Sequence, residues 1–240
     1  MFDHVTIRVP DLQEARRFYA TALGPLDLGE PATDEWGDLS IALAREDRRP
    51  TRRAHVAVAA SSTGAVDAFW SAATGAGFED NGPPGPRPRY HEGYYGAFVL
   101  DPSGNNVEAV HHGFQPAQMI DHVFMRVEDL GAARRFYETV LDPLGQGVWA
   151  TGNEPDGDEW VGLGARGGSL WLTEGEPTEN LHTAFAAPDN ATVDEFHRVA
   201  LAAGYRDNGA PGERRYHPGY YGAFVLDPDG NNIESVCHNR

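Results

Sequence analysis

The sequence predicts an α+β protein of two tandem domains, each built twice over from a strand, a helix and further strands. The first observation behind this is an internal repeat. Asp3-His4-Val5 returns as Asp121-His122-Val123, and Ala15-Arg16-Arg17-Phe18-Tyr19 as Ala133-Arg134-Arg135-Phe136-Tyr137, a shift of 118 positions. Near the ends the stretch His91 to Pro102 returns, with one exchange, as His217 to Pro228, a shift of 126. The second is periodicity: within each copy the apolar pattern changes from alternation to helical spacing and back, twice. The third is punctuation by Gly, Pro, Asn and Asp between these segments. The domains are placed at 1–113 and 119–240, with 114–118 as linker. The extra residues of the second copy fall around Gly152–Asp158, which reads as a loop.

Residues 4–9, His-Val-Thr-Ile-Arg-Val, alternate as a strand does. Asp11 then caps a helix, with Glu14 three residues on as a capping-box partner. Leu12, Ala15, Phe18, Tyr19 and Ala22 form its apolar face, and Gly24-Pro25 ends it. Short strands follow around Leu39–Ala44, and Arg45–Arg53 is a charged connection. The cycle restarts with a strand at His55–Ala59 and a helix marked by Val66, Phe69, Trp70 and Ala73. A Gly- and Pro-rich loop is expected from Asn81 to Arg89. Tyr94–Leu100 and Val107–His112 are strands joined by a turn at Asp101-Pro102-Ser103-Gly104-Asn105.

Composition narrows the function. The chain has 240 residues, enough to bury two cores, and a formal net charge of −17. Such acidity disfavours phosphate backbones and anionic lipid, so no nucleic-acid or membrane partner is expected. No run approaches the ~20 apolar residues of a membrane span. The start, Met1-Phe2-Asp3-His4, lacks the features of a signal peptide, so a cytoplasmic protein is expected, as monomer or homodimer. There is no lysine, which excludes a lysine Schiff base and a P-loop lysine. The lone Cys237 excludes an internal disulfide. Gly162-Leu163-Gly164-Ala165-Arg166-Gly167 matches a dinucleotide fingerprint, but Ser169-Leu170-Trp171-Leu172 after it reads as a strand, so no helix N-terminus receives a pyrophosphate.

Six polar residues sit on strands where apolar ones belong: His4, His55 and Glu108 in the first copy, His122, His182 and Glu234 in the second. His55 shares its face with Ala57 and Ala59, and His182 with Ala184 and Ala186, which leaves room beside each ring. Two histidines and a carboxylate suit a divalent first-row metal, iron, manganese, nickel or zinc, and leave positions open for water or substrate. Such an ion polarises a carbonyl, stabilises an enolate or activates a bound ligand. Each histidine taken singly also fits a hydrogen-bonded core residue; the doubled set is what favours ligation.

These residues carry a resemblance. Asp3-His4-Val5 with Ala15-Arg16-Arg17-Phe18-Tyr19, His55-Val56-Ala57-Val58, and Asp101-Pro102-Ser103-Gly104-Asn105-Asn106-Val107-Glu108 resemble the vicinal oxygen chelate superfamily of glyoxalases, extradiol dioxygenases and bleomycin-resistance proteins. The second copy matches through His182-Thr183-Ala184-Phe185 and Asp227-Pro228-Asp229-Gly230-Asn231-Asn232-Ile233-Glu234. The resemblance implies four βαβββ modules in two glyoxalase-like domains, with mixed sheets curled into cups and helices outside. It implies metal sites at His4, His55 and Glu108 and at His122, His182 and Glu234. A grouping of His4 with His182 and Glu234 is the alternative; the short, nonhelical stretch Arg45–Arg53 favours pairing within each copy.

Two departures stand out. Ile41 and Trp171 occupy the place of a fourth, glutamate ligand used by glyoxalase I, and Phe98 and Phe224 replace a tyrosine of the extradiol dioxygenase signature. The remaining candidates are Tyr90-His91 and Tyr216-His217 as acid–base groups, Tyr94, Tyr95, Tyr220 and Tyr221 toward substrate, and Arg8 and Arg126 as anion clamps or strand-end ion-pair partners. The sequence thus points to a divalent-metal-dependent enzyme chelating vicinal oxygens of a small substrate, glyoxalase-like lyase/isomerase or extradiol-type dioxygenase. The alternative is a metal-free drug-sequestering binder with Trp36, Trp70, Trp149, Trp160 and Trp171 stacking on cationic ligands. The two cups are expected to differ, because Phe124 stands for Thr6 and Trp171 for Ile41, and because the Gly152–Asp158 insert is present once.

Overall fold

A computed structural model of the chain describes residues 1–28, 34–114, 118–153, 157–165 and 168–239. Its strands are β1 (Phe2–Val9), β2 (Glu35–Trp36), β3 (Leu39–Leu43), β4 (His55–Ala59), β5 (Glu79–Pro86), β6 (Tyr95–Leu100), β7 (Asn106–His111), β8 (Ile120–Val127), β9 (Gly147–Asn153), β10 (Glu159–Ala165), β11 (Gly168–Glu174), β12 (His182–Ala186), β13 (Arg206–Glu213), β14 (Tyr220–Leu226) and β15 (Asn232–His238). The helices are α1 (Leu12–Leu23), α2 (Thr63–Gly75), α3 (Leu130–Leu141) and α4 (Asn190–Ala202). Three modules read βαβββ in order. The first shows two strands after its helix among the described residues.

The chain forms two compact units, one of Thr6–Phe124 and one of Met1–Val5 with Met125–Arg240. In the Thr6–Phe124 unit the strand order is β5-β6-β7-β4-β8, with β3 and β2 following β1. Strand β4 runs parallel to β7 and antiparallel to β8, so the sheet is mixed. The other unit repeats the arrangement as β13-β14-β15-β12-β1, with β11, β10 and β9 following β8. There β12 is parallel to β15.

Alternation decides which side faces a helix. Val5, Ile7 and Val9 of β1 and Val123, Met125 and Val127 of β8 are fully buried. Helices α1 and α3 bury matching faces, Ala15, Phe18, Tyr19 and Ala22 in one and Ala133, Phe136, Tyr137 and Val140 in the other. Each large apolar side chain so buried contributes about 1.5–3 kcal/mol. Each of the four α-helices has a side-chain N-cap: Asp11, Ser62, Asp129 and Asp189 accept from backbone N–H groups of the first turn.

The Asp-Pro-x-Gly-Asn turns are structural clamps. Asp101 Oδ1 accepts from the backbone N–H of Ser103 and Asn105, both at 2.8 Å, and its Oδ2 accepts from Asn105 Nδ2 and the Tyr19 hydroxyl, both at 3.0 Å. Asn105 in turn accepts from Ala54 N at 3.1 Å and donates to the Thr51 carbonyl. The second copy does the same with Asp227, Asn231, Tyr137, Leu181 and Thr178. The clamps therefore fix the residues immediately before His55 and His182. Burial pushes the Asp227 carboxyl up to about 6, against the hydrogen bonds from Asn231 and Tyr137.

Two expectations change. The Gly- and Pro-rich stretch from Asn81 is not a loop throughout, because Glu79–Pro86 is the edge strand β5. An edge strand tolerates proline, whose missing N–H has no ladder partner to lose. Register shifts at Asp80/Gly82 and Gly82/Gly85 mark bulges that absorb the irregular residues. Gly82 adopts φ +153°, and a Cβ there would lie 2.9 Å from the Phe98 ring. The insert expected at Gly152–Asp158 likewise begins as strand, since β9 runs to Asn153; residues 154–156 lie outside the described residues, as do 115–117 of the linker.

The clamp predicts a stability effect. Asn231→Ala removes the partner of two backbone groups and of Asp227 Oδ2 in a fully buried site, so unfolding in urea should show a loss of at least ~2 kcal/mol. Asn208→Ala, which removes an exposed bond to Asn232, should cost under ~0.5 kcal/mol.

Candidate metal centres

Strand pairing brings three of the polar strand residues together in each unit. In the Thr6–Phe124 unit, Ala57 is in register with Glu108 on β7 and with His122 on β8, while His55 precedes it by two residues on the same face. His55, Glu108 and His122 therefore converge, with a small side chain between them. His55 Nε2 is 2.9 Å and His122 Nε2 3.4 Å from Glu108 Oε2, and the two rings are 5.3 Å apart, edge to face. In the other unit Ala184 is in register with Glu234. His182 Nε2 lies 2.8 Å and His4 Nε2 3.7 Å from Glu234 Oε2.

The structure thus corrects the grouping within copies. His4 joins His182 and Glu234, and His122 joins His55 and Glu108. Backbone pairing, not chain proximity, decides this: β8 lies beside β4, and β1 beside β12. The Arg45–Arg53 connection bears no weight in the choice, because it runs back along β1, with Thr51 N donating to the Arg8 carbonyl at 2.9 Å.

Each carboxylate is held at its other oxygen. Tyr94 Oη donates to Glu108 Oε1 at 2.6 Å, and Tyr220 Oη to Glu234 Oε1 at 2.7 Å. Glu108 is 1% and Glu234 0% exposed. Glycine makes the space: a Cβ on Gly96 would sit 2.7 Å from Glu108 Oε1, and one on Gly222 2.7 Å from Glu234 Oε1.

The electrostatics of the His55–Glu108–His122 trio separate its two rings. Burial opposes ionisation of Glu108, but hydrogen bonds from His122 and His55 outweigh it and hold the carboxyl at about 2. Burial lowers His55, and the bond to Glu108 only partly offsets it. Burial also opposes the charge on His122, yet the carboxylates of Asp121 and Glu108 on its two sides raise it to about 10. Without a cation, the positive charge of this trio is the proton on His122.

The donor set fits a divalent ion. Ligand atoms ~2.1 Å from a metal and roughly 90–110° apart lie about 3.0–3.4 Å from one another, and the spacings here fall around that range. Glu108 and Glu234 each offer Oε2, their Oε1 being committed to a phenol. Outer carboxylates orient the rings: Asp121 Oδ1 accepts from His122 Nδ1 and Asp3 Oδ1 from His4 Nδ1, both at 2.8 Å, which turns each Nε2 inward.

The other expected site residues divide. Tyr94 and Tyr220 reach the trios, though as holders of the carboxylate. Tyr95 and Tyr221 do not, because alternation turns them to the opposite face, where they donate to Asp67 of α2 and Asp194 of α4, both at 2.8 Å. Tyr90 and Tyr216 are exposed and pack on the rings of Tyr94 and Tyr220 at 4.8 Å. His91 and His217 stand edge-on to the same rings, at 5.5 and 5.3 Å. Arg8 and Arg126 share the faces of His4 and His122, but four residues on, about 13 Å along an extended strand. Phe124 lies 6.0 Å from the His55 ring, and Trp171 sits in a tryptophan cluster with Trp149 and Trp160, each ring 5.3 Å away.

Sequence reasoning missed His112 and His238 and gave Asp3 and Asp121 no role. His112 bridges His91 and Asp121, and His238 bridges His217 and Asp3. The signal was available: each of these residues has its equivalent in the other copy.

The family model described as the Glyoxalase/Bleomycin resistance protein/Dioxygenase superfamily matches residues 1–109 and 119–235. No curated protein matches the chain in sequence. Among solved structures it is similar to glyoxalase I from Zea mays, at 20% identity and a TM-score of 0.68, over 99% of this chain and 92% of that one. A candidate dioxygenase from Bacillus subtilis is similar at 15% identity and a TM-score of 0.62, over 100% of this chain and 85% of that one.

The glycine contact yields a test. Gly96→Ala should push the Glu108 carboxylate off Tyr94 and cost about 1–3 kcal/mol by overpacking. The Tyr94 hydroxyl proton resonance should vanish while that of Tyr220 persists; an unchanged Tyr94 signal would refute the tight fit.

Proposed function

Since the chain belongs to the glyoxalase/bleomycin resistance protein/dioxygenase superfamily, we propose that it is a divalent-metal-dependent enzyme that chelates two adjacent oxygens of a small substrate. One ion is held by His55, Glu108 and His122 and another by His4, His182 and Glu234. The observation that carries the reading is the doubled trio with a fully buried carboxylate, each oxygen of which has a separate task. Three protein ligands leave open coordination positions, and a bound divalent ion supplies Lewis-acid polarisation of the substrate oxygens there. The chain's own residues do the rest. Tyr94 and Tyr220 keep the carboxylates in place, Asp121 and Asp3 fix the tautomers of His122 and His4, and Ala57 and Ala184 leave the space. Of the expected acid–base groups, His91 and His217 are connected to the trios through hydrogen bonds, by way of His112 and Asp121 and of His238 and Asp3. The reaction is of the lyase/isomerase or the extradiol dioxygenase kind: Ile41 and Trp171 at the place of the glyoxalase I glutamate weigh against the first, and Phe98 and Phe224 at the place of the signature tyrosine, a phenolic acid–base group, against the second.

The drug-sequestering reading draws on the Trp149–Trp160–Trp171 cluster, whose outer member is 41% exposed. It gives the two trios no task. Tryptophan quenching by a cationic glycopeptide in the presence of chelator would support it over the metal reading.

Protein purified without chelator, or dialysed against iron, manganese, nickel or zinc, should hold close to two equivalents of one metal. Glu108→Ala and Glu234→Ala should each lower affinity at one site by roughly tenfold or more and leave the other filled. Failure to retain any stoichiometric metal would overturn the proposal. A pH series offers a second check. The ion must displace the proton of His122, whose pKa is raised to about 10, so affinity at that site should rise with pH from 6.5 to 8.5, by about tenfold per unit. Chelator competition with zinc reads this directly, and a flat profile would contradict the assignment of His122 as the protonated ring.

A further inference from the structure

From each trio a hydrogen-bond chain runs through the outer aspartate to a pair of imidazoles. In the Thr6–Phe124 unit, His91 Nδ1 lies 2.6 Å from the Glu92 carbonyl oxygen, His91 Nε2 lies 2.7 Å from His112 Nδ1, and His112 Nε2 lies 2.7 Å from Asp121 Oδ2. A carbonyl only accepts, so His91 Nδ1 carries a hydrogen. Asp121 is a carboxylate and, like any carboxylate at neutral pH, only accepts; His112 Nε2, 2.7 Å from its Oδ2, therefore also carries a hydrogen. The bond between the rings needs one more. Two neutral imidazoles own only two N–H groups, so three hydrogen bonds require one additional proton and a single positive charge opposite Asp121.

The second copy repeats the count. His217 Nδ1 is 2.8 Å from the Pro218 carbonyl oxygen, His217 Nε2 2.8 Å from His238 Nδ1, and His238 Nε2 2.8 Å from Asp3 Oδ2. The paired rings are nearly parallel, at 21° and 20°, with centroids 5.0 and 4.9 Å apart, as two imidazoles joined edge to edge by an N–H···N bond are. Around the first pair stand Asp121, the Tyr94 ring edge-on to His112 at 5.1 Å, and Phe114 over His112. Tyr90 packs on Tyr94 and is hydrogen-bonded by Arg89, with Glu92 next to His91 and Glu108 behind Tyr94. Around the second stand Asp3, Tyr220 and Tyr216, with Glu234 behind Tyr220.

We propose that His91–His112 and His217–His238 are proton-sharing imidazole pairs, each a built acid–base group one aspartate away from a ligand histidine. His91 and His217 exchange the proton with water, and His112 and His238 are positioning residues that act through them. When the shared proton leaves for water or a basic substrate atom, two lone pairs face each other across the ring–ring contact. One bond must then open, and the His91–Glu92 bond, on the exposed side, is the one free to do so. The use of this proton in turnover rests on the metal-enzyme reading above; the shared proton itself does not.

The test is nitrogen-15 NMR of histidine-labelled full-length protein, metal-free and with zinc added, from pH 5 to 9. The expected result is a scalar coupling across the hydrogen bond between His91 Nε2 and His112 Nδ1, and another between His217 and His238. Each pair should take up one proton as a unit over this range. His112→Asn should abolish the first coupling and separate the His91 titration from it, leaving the second pair intact. His91→Gln serves the same purpose should that variant not fold. Two independent one-proton titrations per pair, or no coupling at any pH, would overturn the proposal. So would a His91 titration unchanged in His112→Asn. Intact couplings in a protein that binds no zinc would leave the pairs standing and remove only the metal reading.

Discussion

The buried carboxylates of Glu108 and Glu234 are the constraint around which each unit is arranged. An ionised carboxylate taken out of water is costly unless paired and hydrogen-bonded. Each sits mid-strand in a sheet with its neighbours chosen to allow it: alanine in register on one neighbouring strand, a glycine two residues off register on the other that leaves room for Oε1, a phenol on that oxygen and imidazoles on the second. In the first of these sites the compensating charge is a proton on His122. A place that holds a proton between carboxylates and turns imidazole Nε2 atoms inward is also a place for a cation that replaces that proton.

Asp101 and Asp227 make the contrast. They too are buried carboxyls, repeated in both copies, but their neighbours are amide N–H groups, an asparagine and a tyrosine hydroxyl. Every oxygen is met by a donor that is already committed, and no imidazole lies among the partners. The result is a clamp that holds the strand carrying a candidate ligand. Both pairs are buried carboxyls; the difference in chemistry is that the backbone and side-chain amides around the aspartates cannot give up a hydrogen to a cation, whereas an imidazole beside a glutamate can exchange its proton for one.

The exchange of first strands ties the two copies together. His4 comes from the first copy and completes the trio whose other members, His182 and Glu234, belong to the second; His122 does the reverse. The aspartate beside each of these histidines, Asp3 or Asp121, then links the trio to an imidazole pair, His217–His238 or His91–His112. Each copy of the repeat carries one of every ligand and outer group, but each site draws its set from both copies.

The amino-acid sequence by itself determined the elements and the inventory. Alternation in 4–9, the helical spacing of Ala15, Phe18, Tyr19 and Ala22, and the cap at Asp11 are local properties, and the structure has them where the pattern puts them. The repeat marked the six strand residues that converge in two trios. Only the tertiary structure decided which three meet, because pairing of β8 with β4 is a contact between segments far apart in the chain that no local pattern encodes. The same holds for Tyr94 and Tyr95, neighbours in sequence and on opposite faces in space, and for β5, whose prolines read as loop until an edge position made them tolerable. His112 escaped notice for a related reason. Its importance lies in what it bridges, and a bridge is visible only once both ends are in place.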